Sequence, residues 1–138
     1  MPRLSIILKH IFCVLMLATL ANGAAAAWTR VAGNKSVVCY ADPATITRSG
    51  SFAKMRSLLD FATPQTERSI GEKPYLSQRD EREYDCVNER YRLLHFSLRA
   101  GPMFSGALVR SNADEGEWLP MTAGSLGAAL WKTACGKK

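Results

Sequence analysis

The segment SFAKMRSLLDFA, residues 51–62, decides the fold that we expect for this chain. Its side chains alternate, so that Met55, Leu59 and Phe61 would lie on one face of an extended strand. The opposite face would carry the charged residues Lys54, Arg56 and Asp60. Alternation over this length is typical of a β-strand that is buried on one side only. We therefore expect a sheet with one covered face.

Strand patterns continue on both sides of this segment. Upstream, Trp28–Val31 and Ser36–Tyr40 flank the turn residues Gly33-Asn34-Lys35, which predicts a hairpin. Downstream, three further strands are expected at residues 75–87, 90–99 and 106–111. The centre of the first, residues 79–83, could also form a helical turn, but a strand is favoured. Between the upstream hairpin and the central strand, Asp42-Pro43 predicts one short helical turn with proline at its first position.

The C-terminal segment predicts a helix. Ser125 can cap its N-terminus, and Leu126, Leu130 and Ala134 form an apolar stripe at helical spacing. Gly136 suits the C-terminal stop. A helix of about ten residues is not stable alone in water. It is therefore expected to pack against the sheet.

The N-terminus has the pattern of a secretory signal peptide. Basic residues are followed by an apolar stretch, Ile11–Leu20, and then by small residues that end in an Ala-x-Ala site. The apolar stretch is too short to span a bilayer as a helix. The sequence thus predicts a signal peptide at residues 1–27 and a single exported domain at residues 28–138. That domain would lie in the periplasm or on the outer surface of the cell envelope, with no stable membrane span after processing.

Three cysteines remain after residue 27, namely Cys39, Cys86 and Cys135. An odd number in an exported domain indicates one disulfide and one remaining thiol, and three pairings are open. A bond between Cys86 and Cys135 would hold the C-terminal helix to the sheet. The long loop that it closes would give roughly 4 kcal/mol in the chain-entropy model. Cys39 lies in an apolar run and is expected to be a buried free thiol, with an intermolecular disulfide as the alternative.

The charge of the chain predicts a soluble surface of mixed charge, and it favours anionic molecules as the partners of any binding site. The full sequence has a net charge of +6, which falls to +4 when Arg3 and Lys9 leave with the signal peptide. An exported basic protein does not meet genomic DNA, so nucleic acid is not expected as a partner. Anionic envelope polymers, sulphated polysaccharides and acidic host proteins are the expected classes. On the solvent faces of two strands, a basic stripe is predicted from Lys54, Arg56, Arg90 and Arg92.

Residue patterns for catalysis or metal binding are missing from the exported domain. His95 is its one histidine, and no spacing of cysteines or histidines offers a zinc site. A Gly-x-Ser-x-Gly elbow is also missing. The acidic residues between Asp80 and Asp85 are interleaved with Arg79 and Arg82, which favours a solvated charge run. The sequence therefore predicts a protein that is not an enzyme and needs no cofactor.

Several short motifs occur together in an order that resembles the surface-adhesin protein E family. They cover nearly the whole exported domain, from Trp28 to Cys135. The motifs are Trp28, Tyr40-Ala41-Asp42-Pro43-Ala44-Thr45-Ile46, Met55 to Phe61, Tyr75-Leu76-Ser77, Glu83-Tyr84-Asp85-Cys86, Gly106, Trp118-Leu119-Pro120, Gly124-Ser125 and Ala134-Cys135.

This resemblance implies an α+β fold: an antiparallel sheet of about six strands, with the C-terminal helix packed on it and held by a Cys86–Cys135 disulfide. It also implies a binding protein that attaches to host extracellular-matrix or serum proteins. The alternative function is a periplasmic structural protein that interacts with the envelope. Exposed sheet edges would allow a homodimer.

Overall fold

A computed structural model of the protein describes residues 27–68, 71 and 73–136. The signal peptide that the sequence predicts lies outside these residues, apart from Ala27. The described part of the chain forms one sheet, one α-helix and a short 3-10 turn at Pro102–Phe104. Their bounds are β1 (Thr29–Gly33), β2 (Val37–Ser49), β3 (Phe52–Gln65), β4 (Tyr75–Asp85), β5 (Arg90–Arg99), β6 (Leu108–Asn112), β7 (Leu119–Pro120) and α1 (Leu126–Cys135).

The sheet is an antiparallel meander in which each strand from β1 to β6 pairs with the next along the chain, and β7 pairs with β5. Connections of two to nine residues link β1 to β6 in this order, because adjacent antiparallel strands need no long crossover. The α+β fold class and the predicted strands are confirmed. The central segment, residues 51–62, lies within β3, which pairs over most of its length with β2 and β4.

The short helical turn expected at Asp42-Pro43 is wrong. β2 continues through these residues, and its register against β3 shifts between Asp42 and Thr47. The Thr45 hydroxyl donates to the Asp42 carbonyl at 2.7 Å and accepts from the Arg56 N–H at 2.9 Å. A bulge therefore accommodates the proline, which cannot donate to a neighbouring strand.

One face of the sheet is covered by α1. Ala53, Met55 and Tyr84 are buried there and pack with Leu130 and Trp131 of the helix. We call this the helix face. The other face, which we call the outer face, carries Lys54 and the residues in register with it.

The predicted caps of α1 are confirmed. The Ser125 side chain accepts a hydrogen bond from the Ala128 N–H, and Gly136 has the left-handed conformation with φ 69°. That conformation favours glycine, which has no Cβ. The disulfide joins Cys86 to Cys135, as the resemblance implied. It connects the last residue of the helix to the residue that follows β4.

Cys39 is a free thiol with no exposed surface. Burial raises the pKa of this thiol to about 11, while Arg82 lowers the pKa and Asp80 raises it. A thiolate is the reactive form of cysteine, so this residue is protected both by burial and by protonation.

Candidate functional site

The outer face holds all four residues of the predicted basic stripe. Alternation along β3 places Lys54 and Arg56 on this face, and their register with β4 and β5 brings Arg90 and Arg92 to the same side. Side chains that lie opposite one another on adjacent strands are within contact distance, so the four side chains share one continuous surface. Lys54 and Arg56 also line a cleft of about 150 Å³ beside the bulge of β2, together with Thr45 and Thr47.

Acidic side chains alternate with this stripe. Lys54, Glu83 and Arg92 form one row across three strands. Arg92 pairs with Glu83 at 2.8 Å and with Glu115 at 3.0 Å. The surface is therefore a ladder of alternating charge around Arg92, and it holds these side chains in fixed positions.

Arg90 is held in the same way by a buried carboxylate. Its Nε donates to Asp85 Oδ2 at 3.0 Å. Asp85 has no exposed surface and also accepts from the backbone N–H groups of Val87 and Asn88. Hydrogen bonds from Asn88, and then from Arg90, hold the pKa of the Asp85 carboxyl well below its usual range. This carboxylate thus stays ionised beneath the outer face.

Trp118 completes this part of the outer face. The Arg90 and Arg92 guanidinium carbons lie 4.7 Å and 4.8 Å from the centre of its ring, and the Phe52 ring lies 5.8 Å away. Guanidinium groups are attracted to aromatic faces, and Trp is the strongest such partner. We call Phe52, Arg90, Arg92 and Trp118 the tryptophan cluster.

Trp118 and Glu115 were missed as members of this site by sequence reasoning. Both come from the segment between β6 and β7, which has no strand pattern of its own. The signal that links Trp118 to the stripe is the β7 pairing, in which Leu119 is in register with Tyr91. That pairing is set by tertiary contacts and cannot be read from local periodicity.

The helix face carries a second charged group, Asp80 and Arg82, on the same side of β4. Arg82 Nη2 lies 2.6 Å from Asp80 Oδ2, and the Asp80 side chain is 1% exposed. Arg82 also lies 5.3 Å from the Tyr91 ring centre. The solvated charge run expected here is wrong for these two residues, because the pleat of β4 turns them toward the covered face.

His95 lies on β5 in register with Glu81, and its ring contacts one hydroxyl. Its Nε2 lies 3.0 Å from Ser111 Oγ, and Ser111 Oγ lies 3.1 Å from Ser97 Oγ. A serine nucleophile needs a histidine that a third group orients. Among the described residues, no hydrogen bond joins the other His95 nitrogen to a carboxylate, so this pair gives no support for hydrolysis.

In the part of the chain that the structure describes, no group of three or more His, Cys, Asp or Glu side chains is arranged to hold a metal ion. None of the helices formed by these residues has the length and apolar character that crossing a membrane requires.

The fold and this surface define a class: a small α+β protein in which one disulfide joins a helix to an antiparallel sheet with an arginine-rich outer face. The chain belongs to the surface-adhesin protein E family, whose family model matches residues 28–136. No curated protein sequence matches the chain.

Solved structures with the same fold include three of protein E from Haemophilus influenzae. The selenomethionine form has a TM-score of 0.59 and 12% identity, covering 79% of this chain and 85% of that chain. A second crystal form has a TM-score of 0.57 and 13% identity, covering 79% and 87%. A further structure has a TM-score of 0.55 and 13% identity, covering 78% and 83%. At such identity, the likeness concerns the fold.

Proposed function

We propose that this chain is an exported, non-enzymatic adhesin that binds host extracellular-matrix or serum proteins through the outer face of its sheet. The observation that carries the proposal is the tryptophan cluster on a chain of the surface-adhesin protein E family. Arginine and tryptophan are the residues most enriched among those that dominate protein–protein binding energy.

The tryptophan cluster is also held in place before any partner arrives. Ion pairs with Glu83 and Asp85 fix the arginines, and both guanidinium groups rest near Trp118. Binding costs less when side chains are already ordered, because fewer rotamers are lost. The stripe residues Lys54 and Arg56 extend the same surface and would give it attraction for acidic partners.

Export is part of this proposal. The pattern of residues 1–27 supports a signal peptide, and the Cys86–Cys135 disulfide supports an oxidising compartment outside the cytoplasm. The proposed location is the outer surface of the cell envelope, since contact with host proteins requires it.

The test of location uses intact source cells and an external protease or antibody. The proposal expects the protein to be reached without lysis. Protection until the outer membrane is opened would contradict the adhesin role and favour the alternative, a periplasmic protein that interacts with the envelope.

The test of the surface uses protein purified from the envelope fraction and plates coated with matrix or serum proteins. Trp118→Ala with Arg92→Ala is expected to weaken binding at least tenfold. Lys132→Ala, an exposed change on α1, is the control and should bind as the wild type does. Equal binding by all three proteins would exclude the tryptophan cluster as the contact surface.

A further inference from the structure

A second group of arginines gathers at the other end of the outer face. Arg79 and Arg99 both contact the Phe104 ring, with their guanidinium carbons 4.0 Å and 4.7 Å from its centre. Arg56 lies on the same face, two residues along β3 from Leu58, which is in register with Arg79. We call Arg56, Arg79 and Arg99 the arginine cluster.

No carboxylate among the described residues forms an ion pair with the arginine cluster. Glu81 is in register with Arg56, but its side chain does not come within ion-pair distance. The Asp60 carboxylate contacts the loop of Phe104 instead of an arginine, since its Oδ1 accepts from the Met103 N–H at 2.8 Å. Burial and the charges of Arg56 and Arg99 lower the pKa of Arg79. The arginine cluster thus differs from Arg90 and Arg92, which form ion pairs with carboxylates.

The loop that supplies Phe104 is fixed to the sheet. The buried Ser77 hydroxyl donates to the Gly101 carbonyl at 2.7 Å and accepts from the Phe104 N–H at 2.9 Å. At Gly106, φ is +78°, and a Cβ there would lie 2.9 Å from the Gly101 nitrogen. The loop is thus anchored to β4 in a shape that requires glycine.

Backbone strain in the same loop also indicates a ligand-binding site. Met103 and Phe104 both have positive φ, at 51° and 61°. This strained turn places one aromatic ring against both Arg79 and Arg99, and strain of this kind concentrates at ligand-binding sites.

We propose that the arginine cluster is a binding site for a tetrahedral oxyanion, the sulfate or phosphate group of a ligand or the free ion. Three guanidinium groups offer more donors than the two oxygens of a carboxylate can accept, whereas sulfate and phosphate accept on several sides. This site does not depend on the proposed adhesin role, because an anion would bind it in the periplasm or at the cell surface.

The experiment compares two charge-matched variants of protein purified from the envelope fraction. R79Q/R99Q removes two charges from the arginine cluster. K35Q/K132Q removes two charges from exposed sites in the β1–β2 turn and on α1. Inorganic sulfate, inorganic phosphate and a heparin hexasaccharide are titrated at constant ionic strength, and binding is followed by NMR shifts of the Ser77 and Phe104 amides.

The proposal expects saturable binding that R79Q/R99Q weakens at least tenfold and K35Q/K132Q changes less than twofold. Much tighter binding of the hexasaccharide than of either free ion would identify a sulphated saccharide as the source of the group. Comparable binding of the free ions would identify a small anion.

Absence of saturable shifts with every probe would overturn the site, as would equal losses in the two variants. If R79Q/R99Q fails to fold, R79K/R99K replaces it, since this variant keeps the charge and loses the planar fork. It should then bind sulfate and phosphate more weakly than the wild type. Unchanged affinity of R79K/R99K would also count against the proposal.

Discussion

Asp85 connects three parts of the molecule through one buried residue. Its carboxylate accepts from the Asn88 backbone and side chain, at 3.0 Å and 2.9 Å, and so closes the β4–β5 turn. The same carboxylate holds Arg90 of the tryptophan cluster. Its backbone carbonyl accepts from Trp131 Nε1 at 2.9 Å. Asp85, which precedes the disulfide-bonded Cys86, therefore links the β4–β5 turn, the outer face and the helix.

Asp85→Asn is expected to destabilise the protein at neutral pH and much less in acid. The folded-state pKa of Asp85 is depressed by hydrogen bonds from Asn88 and Arg90. A depressed pKa gives stability that is present above the unfolded value, about 3.9, and is lost as pH falls below it. Thermal unfolding of both proteins from pH 7 to pH 2 measures this. The difference in Tm should be constant down to about pH 4 and then shrink.

Asp114→Asn serves as the control, because Asp114 is exposed and forms no ion pair with another described residue. Its Tm should follow that of the wild type across the range. A difference for Asp85→Asn that does not change with pH would show that the variant acts through packing rather than through charge.

At the scale of elements, α1 depends on its contacts with the sheet. Ten residues give too few hydrogen bonds to offset helix nucleation in water. Leu130, Trp131 and Ala134 supply the buried contacts, and the disulfide fixes the last residue of the helix. The helix and the helix face therefore stabilise one another.

Removing the disulfide with Cys86→Ala and Cys135→Ala is expected to lower the free energy of unfolding by roughly 4 kcal/mol, the loop-closure value for a bond of this span. Helical circular dichroism should be lost at lower urea than the sheet signal, since α1 loses its covalent attachment. Cys39→Ala is the matched control, because it removes a buried sulfur without opening a loop. An equal loss in the control would contradict the disulfide's role.

Local patterns predicted most of these elements and little of the two proposed binding surfaces. The strands follow alternation, and Ser125 and Gly136 mark the helix ends, because these signals act within a few residues. The proline in β2 was misread because pairing with β3 overrides its local preference. Trp118 and Phe104 come from loops, and their contacts with arginines depend on a register that forms only in the folded sheet.

At the scale of the whole molecule, the core lies on one face of the sheet and both proposed binding surfaces lie on the other. The helix face contains the core, the disulfide and the buried Asp80–Arg82 pair. The outer face carries arginines in two states: ion-paired in the tryptophan cluster and without carboxylate partners in the arginine cluster. The sheet thus has its core on one side and a charged surface on the other, and a structure with 12% identity to this chain has the same fold.

Residues 28–138 alone are expected to fold as the exported protein does. Every described strand, the helix and the disulfide form within residues 29–135, and the family match spans residues 28–136. The segment can be produced in an oxidising compartment behind a foreign signal peptide, and its Tm compared with that of protein exported by its own N-terminus. The two Tm values should agree, and mass spectrometry should place both N-termini near Trp28. A lower Tm for the segment would show that residues 1–27 stay attached and stabilise the domain, which would contradict their cleavage as a signal peptide.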